Sequence, residues 1–154
     1  MDRIEMAKKF FIQAQKTTIA MATLVVAYGA MGYYLIQAGK ERLPILNAQI
    51  YPLVKYGALA VSVLGVLAVG QLGRRRLSAF LAAGPSAERP PQKLFARTAL
   101  MNLGAQLALF LGLVVIFLGR RAYDFVPFAV ISLVAFALAF PRKQQWVSWL
   151  GVDF

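Results

Sequence analysis

The chain has 154 residues, is 60% hydrophobic, and carries 17 Lys+Arg against 6 Asp+Glu, a formal charge of +11. Soluble domains are about 45–50% apolar, so this composition, with a mean hydropathy of +0.63, points to a membrane domain and leaves no room for a separate soluble one. Neither cysteine nor histidine occurs, which excludes disulfides, thiolate nucleophiles, iron–sulfur clusters, most zinc sites, the usual haem ligand and the usual neutral-pH base.

Residues 1–16 are charged and amphipathic. Ile4, Ala7, Phe10, Phe11 and Ala14 recur at helical spacing among Lys8, Lys9, Gln13 and Lys16, the pattern of a short interfacial helix. The apolar block that follows is too long for a signal-peptide h-region and lacks a clear small-residue cleavage site, so it reads as a retained first span.

That span runs from about Thr17 to Ala38, carries no charge, ends in Tyr33 and Tyr34, and is stopped by Gly39-Lys40-Glu41-Arg42. Aromatic rings with polar tips suit the membrane interface. Leu43 to Tyr51 is too short to cross and contains Pro44, Asn47 and Gln49; it is expected at the surface. Pro52 then opens span two, where its missing N–H does no harm.

Span two covers about Pro52 to Leu72, with Lys55 near its start expected to snorkel outward. Gly73 and Arg74-Arg75-Arg76 end it, and Leu77 to Leu81 should extend the helix by a turn or two. Gly84 to Pro91, rich in breakers, reads as a loop.

Span three covers about Thr98 to Leu118. Gly119 to Asp124 makes a tight connection to span four, Phe125 to Phe140, which is short at about 24 Å. Pro141 ends it. The tail, 141–154, holds Trp146 and Trp149 beside Leu150 and reads as an interfacial foot with these tryptophans as anchors. The expected fold is therefore all-α: a bundle of four transmembrane helices over 17–140, with short interfacial helices at both termini.

Basic residues flank the spans unevenly. Arg3, Lys8, Lys9 and Lys16, then Arg74, Arg75, Arg76, Arg89, Lys93 and Arg97, then Arg142 and Lys143 fall on one side. Lys40, Arg42, Lys55, Arg120 and Arg121 fall on the other. The positive-inside rule places both termini and the central loop in the cytoplasm, with Arg120 and Arg121 running against it. Because these residues border apolar blocks, their expected partners are anionic phospholipids rather than nucleic acid. Arg74, Arg75, Arg76 and Arg97 form the candidate headgroup site, although topology control alone accounts for them.

No acidic or basic residue lies in the middle of a span, which argues against ion-coupled carriers. The loop acids, Asp124 among them, are expected to be solvated, with Glu41 and Asp124 able to pair with Arg42 or Arg121. The most polar intramembrane residues are Asn102 and Gln106, four apart and so on one helix face. An unpartnered amide in hydrocarbon is costly, so that face should meet another helix, with Ser62 and Ser132 as candidate partners. Small residues also align: Ala105, Ala108 and Gly112 in span three, Ala58, Ser62 and Gly65 in span two, and Ser132, Ala135 and Ala139 in span four. They support close helix packing and identify no activity.

In the last third, Arg120-Arg121-Ala122-Tyr123-Asp124-Phe125, the short span with Ser132, and Phe140-Pro141-Arg142-Lys143 followed by Trp146 resemble a class of small bacterial four-span membrane proteins of unassigned function. The resemblance covers roughly Phe95 to Trp149 and implies a bacterial inner-membrane location and a four-span fold, with no activity. Small multidrug-resistance proteins carry a glutamate in their first span, and ATP synthase ring subunits a carboxylate in their ion-binding helix. Thr17 to Ala38 and Thr98 to Leu118 lack both.

The sequence thus predicts a non-catalytic accessory subunit of a larger inner-membrane complex, with other integral membrane subunits as partners and no cofactor, metal or catalytic residue. The alternative is a small oligomeric transporter or channel lined by Asn102 and Gln106. An enzyme acting on lipid ranks last, because Ser and Thr without His, Lys or Asp at membrane depth make a poor nucleophile site.

Overall fold

The computed structural model describes residues 3–38, 46–82, 91–151 and 153. The expected stop at Gly39–Arg42, Pro44, and most of the 84–91 loop with Glu88 and Arg89 lie outside the described residues. So do Asp2 and Phe154.

The described residues form α1 (Arg3–Ala38), α2 (Ile50–Ala82), α3 (Pro91–Gly119), a 3₁₀ turn (Ala122–Phe125), α4 (Val126–Ala139) and α5 (Lys143–Leu150). Four helical stretches are long and apolar enough to cross a membrane: Ile4–Ala38, Ile50–Ala79, Pro91–Gly119 and Ala122–Ala139. The chain is an all-helical, multi-pass membrane protein.

The helices outrun the apolar blocks that announce them. Residues 3–16 continue into span one without a break, so α1 has 36 residues and is about 54 Å long. α2 passes straight through Arg74-Arg75-Arg76 to Ala82, as the Leu77–Leu81 extension required. α3 begins at Pro91, a first-turn position where proline is preorganised. Polar flanks with good helix formers simply propagate a nucleated helix.

α3 is the hub. α1, α2 and α4 all pack along it, whereas α1 and α2 flank it and scarcely meet. Its buried stripe of Asn102, Ala105, Leu109, Gly112, Leu113 and Ile116 follows helical periodicity. Close approach is demanded at two glycines on α3. A Cβ at Gly112 would sit 2.7 Å from Phe128 Cβ on α4, and a Cβ at Gly119 would overlap the Tyr51 ring on α2.

Two satellite clusters close the ends. At the end holding the 3₁₀ turn, Tyr51 packs with Val115 and Phe128, with Leu46 alongside. At the opposite end, Ala7, Phe11 and Ala14 of α1 pack with Leu94 of α3 and Trp146 and Leu150 of α5.

Candidate functional site

Asn102 and Gln106 face the bundle, on the side of α3 that meets α1. Asn102 is buried at 2% exposure, and its amide Nδ2 donates to Thr18 Oγ1 at 3.1 Å. Thr18 in turn donates to the Ala14 carbonyl at 3.0 Å. Gln106, partly buried, donates through Nε2 to the Met21 carbonyl at 3.0 Å. That carbonyl has a second lone pair free beyond its helical bond.

The partners differ from those the sequence suggested. Ser132 is fully buried, but it spends its hydroxyl on the Ala105 carbonyl at 2.8 Å, one step along α3 from the amides. Ser62 donates back to its own helix at Ala58, 2.8 Å away. Both serines lie where small residues let helices approach. The amides point instead toward α1, whose Thr18 was legible only as the start of a span. Asn102 Oδ1 is buried without a donor.

The charged residues give a larger correction. Asp124 is 1% exposed, not a solvated loop acid, and among the described residues its ion pair is with Lys55 rather than Arg121; Arg42 lies outside the described residues. Lys55 Nζ donates to Asp124 Oδ1 at 2.6 Å, and Tyr51 donates its hydroxyl to Oδ2. Tyr51 and Lys55 are four apart and share a face of α2. Lys55 therefore reaches inward to the 3₁₀ turn rather than snorkelling to solvent, and is about a quarter exposed. The i, i+4 pairing of Tyr51 with Lys55 was the signal that sequence reasoning passed over.

The turn that carries Asp124 is tightly built. The Asp124 N–H donates to the Arg121 carbonyl at 3.1 Å, and the Arg120 N–H to Ile116 at 2.8 Å. Arg120 takes the left-handed region, with φ 54°. Asn47 caps α2 by accepting from Gln49 N at its Oδ1, 3.2 Å away.

At the other end, Trp146 is 1% exposed and stacks edge-on against Phe11, with ring centroids 5.6 Å apart. It anchors the tail to α1 rather than presenting a ring to lipid. Trp149 is partly exposed, and the Arg97 guanidinium lies over its ring at 5.2 Å. The Arg97 stem runs along Gly73, while Arg74, Arg75 and Arg76 are exposed. Of the four arginines grouped by sequence, Arg97 packs on Gly73, the chain neighbour of Arg74.

Among the described residues no cluster of three or more His, Cys, Asp or Glu could hold a metal ion. An open apolar groove of about 450 Å³ lies between α1 and α4, lined by Thr18, Ala22, Val26, Leu133 and Phe136 among others. It has no charged wall. No protein-family model, curated protein or solved structure matches this chain.

Proposed function

We propose that the chain is a non-catalytic accessory subunit of a larger bacterial inner-membrane protein complex, with both termini cytoplasmic, packing against other integral membrane subunits and against anionic phospholipid. One observation carries this reading: the donors of Asn102, Gln106 and Ser132 are spent inside the bundle, while one helix is left almost bare. Half of the apolar window of α3 is buried, against only 6% of that of α2. The outward face of α2 aligns Leu53, Gly57, Ala60, Leu64 and Leu67, and a Cβ at Gly57 would meet nothing within 4 Å. Small residues beside leucines suit the close approach of another apolar helix.

The test is mild solubilisation followed by identification of co-purifying membrane proteins. The chain is free of cysteine, so Leu64→Cys is a clean cross-linking probe. A stoichiometric membrane partner, captured through Leu64→Cys but not through Leu138→Cys on α4, is the expected result. A chain that purifies alone and captures nothing at either position overturns it. In the same background, cysteines at Ala87 and Phe154 should label from the cytoplasm, and those at Asn47 and Tyr123 from outside.

The rival reading is a small transporter or channel lined by the Asn102 and Gln106 face. It is favoured by the unmatched Asn102 Oδ1, a free acceptor at membrane depth. The purified chain in liposomes should show neither turnover nor flux. Saturable flux lost in Asn102→Leu with Gln106→Leu would favour the transporter.

A further inference from the structure

We infer that Arg97, Arg74 and Trp149 form a binding site for one phosphate-bearing anion at the end of the bundle that holds the termini, with an anionic lipid headgroup as its source. This goes beyond the accessory role and depends only on insertion of the chain in a membrane.

Depth comes first. Arg97 immediately precedes the apolar run that opens at Thr98, and Arg74 immediately follows the one that closes at Leu72 and Gly73. The Arg97 side chain lies on Gly73, with its Cγ 3.5 Å and its Nε 3.6 Å from where a Cβ would stand. The two boundaries are therefore level with each other across the α2–α3 contact, where headgroups sit.

The second step is charge. Arg74 follows Gly73, on which the Arg97 side chain lies, and acts on Arg97 as a like charge. Among the described residues, the ion pairs are Lys55–Asp124 and Lys143–Asp153, and none of these carboxylates faces Arg97 or Arg74. A partly buried cation beside an exposed one, with no carboxylate between them among the described residues, is an arrangement that a phosphate completes.

The third step is hydrogen bonding. Arg97 Nε is buried with no acceptor, although its guanidinium is held in place by the Trp149 ring at 5.2 Å. A buried donor without a partner is costly. A guanidinium oriented by an aromatic face presents a planar fork that matches two phosphate oxygens. Arg97 and Trp149 are both partly exposed, which puts the pair within reach of an acyl-bearing ligand approaching along the membrane.

The experiment measures ligand-dependent thermal stabilisation of the full-length chain in neutral detergent. The probes are phosphatidylglycerol, phosphatidylcholine and inorganic phosphate. Phosphatidylglycerol should stabilise saturably, and phosphatidylcholine should not. Arg97→Gln should weaken the phosphatidylglycerol midpoint about tenfold and Arg74→Gln about threefold. Arg121→Gln, the same charge loss at the far end, should leave it unchanged. Arg97→Lys should rescue little, because a point charge lacks the fork. Only the ligand-dependent increment is read, so a change in basal stability does not mimic the result, and Trp149→Phe provides a second, milder variant expected to weaken binding severalfold. Inorganic phosphate that stabilises equally and displaces the lipid supports the site and assigns it to a free anion. Equal losses in Arg97→Gln and Arg121→Gln, stabilisation by phosphatidylcholine equal to that by phosphatidylglycerol, or no saturable effect of either phosphatidylglycerol or inorganic phosphate, overturn the site. Neither result bears on whether the chain co-purifies with a protein partner.

Discussion

At the end of the bundle where α2 begins, charges meet inside the protein: Asp124 is enclosed by Lys55 and Tyr51. At the end where α5 folds back, the interior is aromatic and apolar, and the charges stay at its rim. Trp146 and Phe11 fill that core, and Arg97 lies on the outside of the layer, over Trp149. The difference explains how a chain of +11 keeps its carboxylate-poor sequence folded. One of its few acids is committed to a single buried pair that ties α2 to the turn before α4. At the other end apolar packing chiefly ties α1, α3 and α5, with the Arg97–Trp149 contact at its rim.

If the aromatic end is held by packing, its largest side chain should matter most. Trp146→Ala is expected to destabilise the protein by about 4 kcal/mol, read as a lowered thermal midpoint in detergent. Salt should not change the loss. A loss below about 1 kcal/mol would mean that α5 is an incidental appendage and that the two ends are not comparable.

The opposite end should respond to charge instead. Asp124→Asn strands Lys55 against the turn and is expected to cost about 3 kcal/mol, while Asp124→Asn combined with Lys55→Met should cost less than Asp124→Asn alone. A double variant as impaired as the sum of its parts would show that the pair is not what joins α2 to the turn. Tyr51→Phe, which removes one hydrogen bond to the carboxylate, should cost about 1.5 kcal/mol.

Between the two ends, the middle of the bundle is joined by neutral amides. Asn102→Leu with Gln106→Leu should shift stability by about 1–2 kcal/mol, less than either end variant. The sign sharpens the comparison. A loss means that the bonds to Thr18 and Met21 outweigh the unmatched Asn102 Oδ1; a gain means that the amides are retained at the expense of stability.

Legibility from sequence follows the same geography. The four spans are visible because uncharged runs such as Thr17–Ala38 are a local property. The inward turn of the Asn102 and Gln106 face is visible too, since a spacing of four is local and hydrocarbon penalises bare amides. What each amide touches is not: Asn102 meets Thr18 across 84 positions, and nothing in either neighbourhood encodes the other. Asp124 is the sharpest case. Its chain neighbours Arg120 and Arg121 offer obvious partners, but the 3₁₀ turn aims the carboxylate at α2, where Lys55 lies 69 positions away. Helix ends were also under-read, because hydropathy marks where a membrane stops and a helix need not stop there.

The smallest expected effect concerns how each end closes a helix in the left-handed region. α5 ends at Gly151, with φ 67° and open space around it, and its N–H donates to the Val147 carbonyl at 2.9 Å. α3 ends at Arg120, with φ 54°, although Gly119 is its immediate neighbour. The reason is that position 119 has a prior claim on glycine: any Cβ there would overlap the Tyr51 ring that hydrogen-bonds Asp124. Two adjacent positions each favour glycine for a different reason, and the steric one prevails. The backbone cost of about 1 kcal/mol then falls on Arg120. Arg120→Gly should therefore stabilise the protein by about 0.5 kcal/mol, the relief being offset in part by greater freedom of the unfolded chain. Gly151→Arg should lose about 1 kcal/mol through φ alone, and Gly119→Ala should lose more than either, about 2–3 kcal/mol, because it forces Tyr51 off its site. Thermal unfolding of the three variants in one detergent separates the contributions. If Arg120→Gly is destabilising, the Arg120 side chain holds the turn by contacts that outweigh its backbone strain, and the charged end then depends on a second cation besides Lys55.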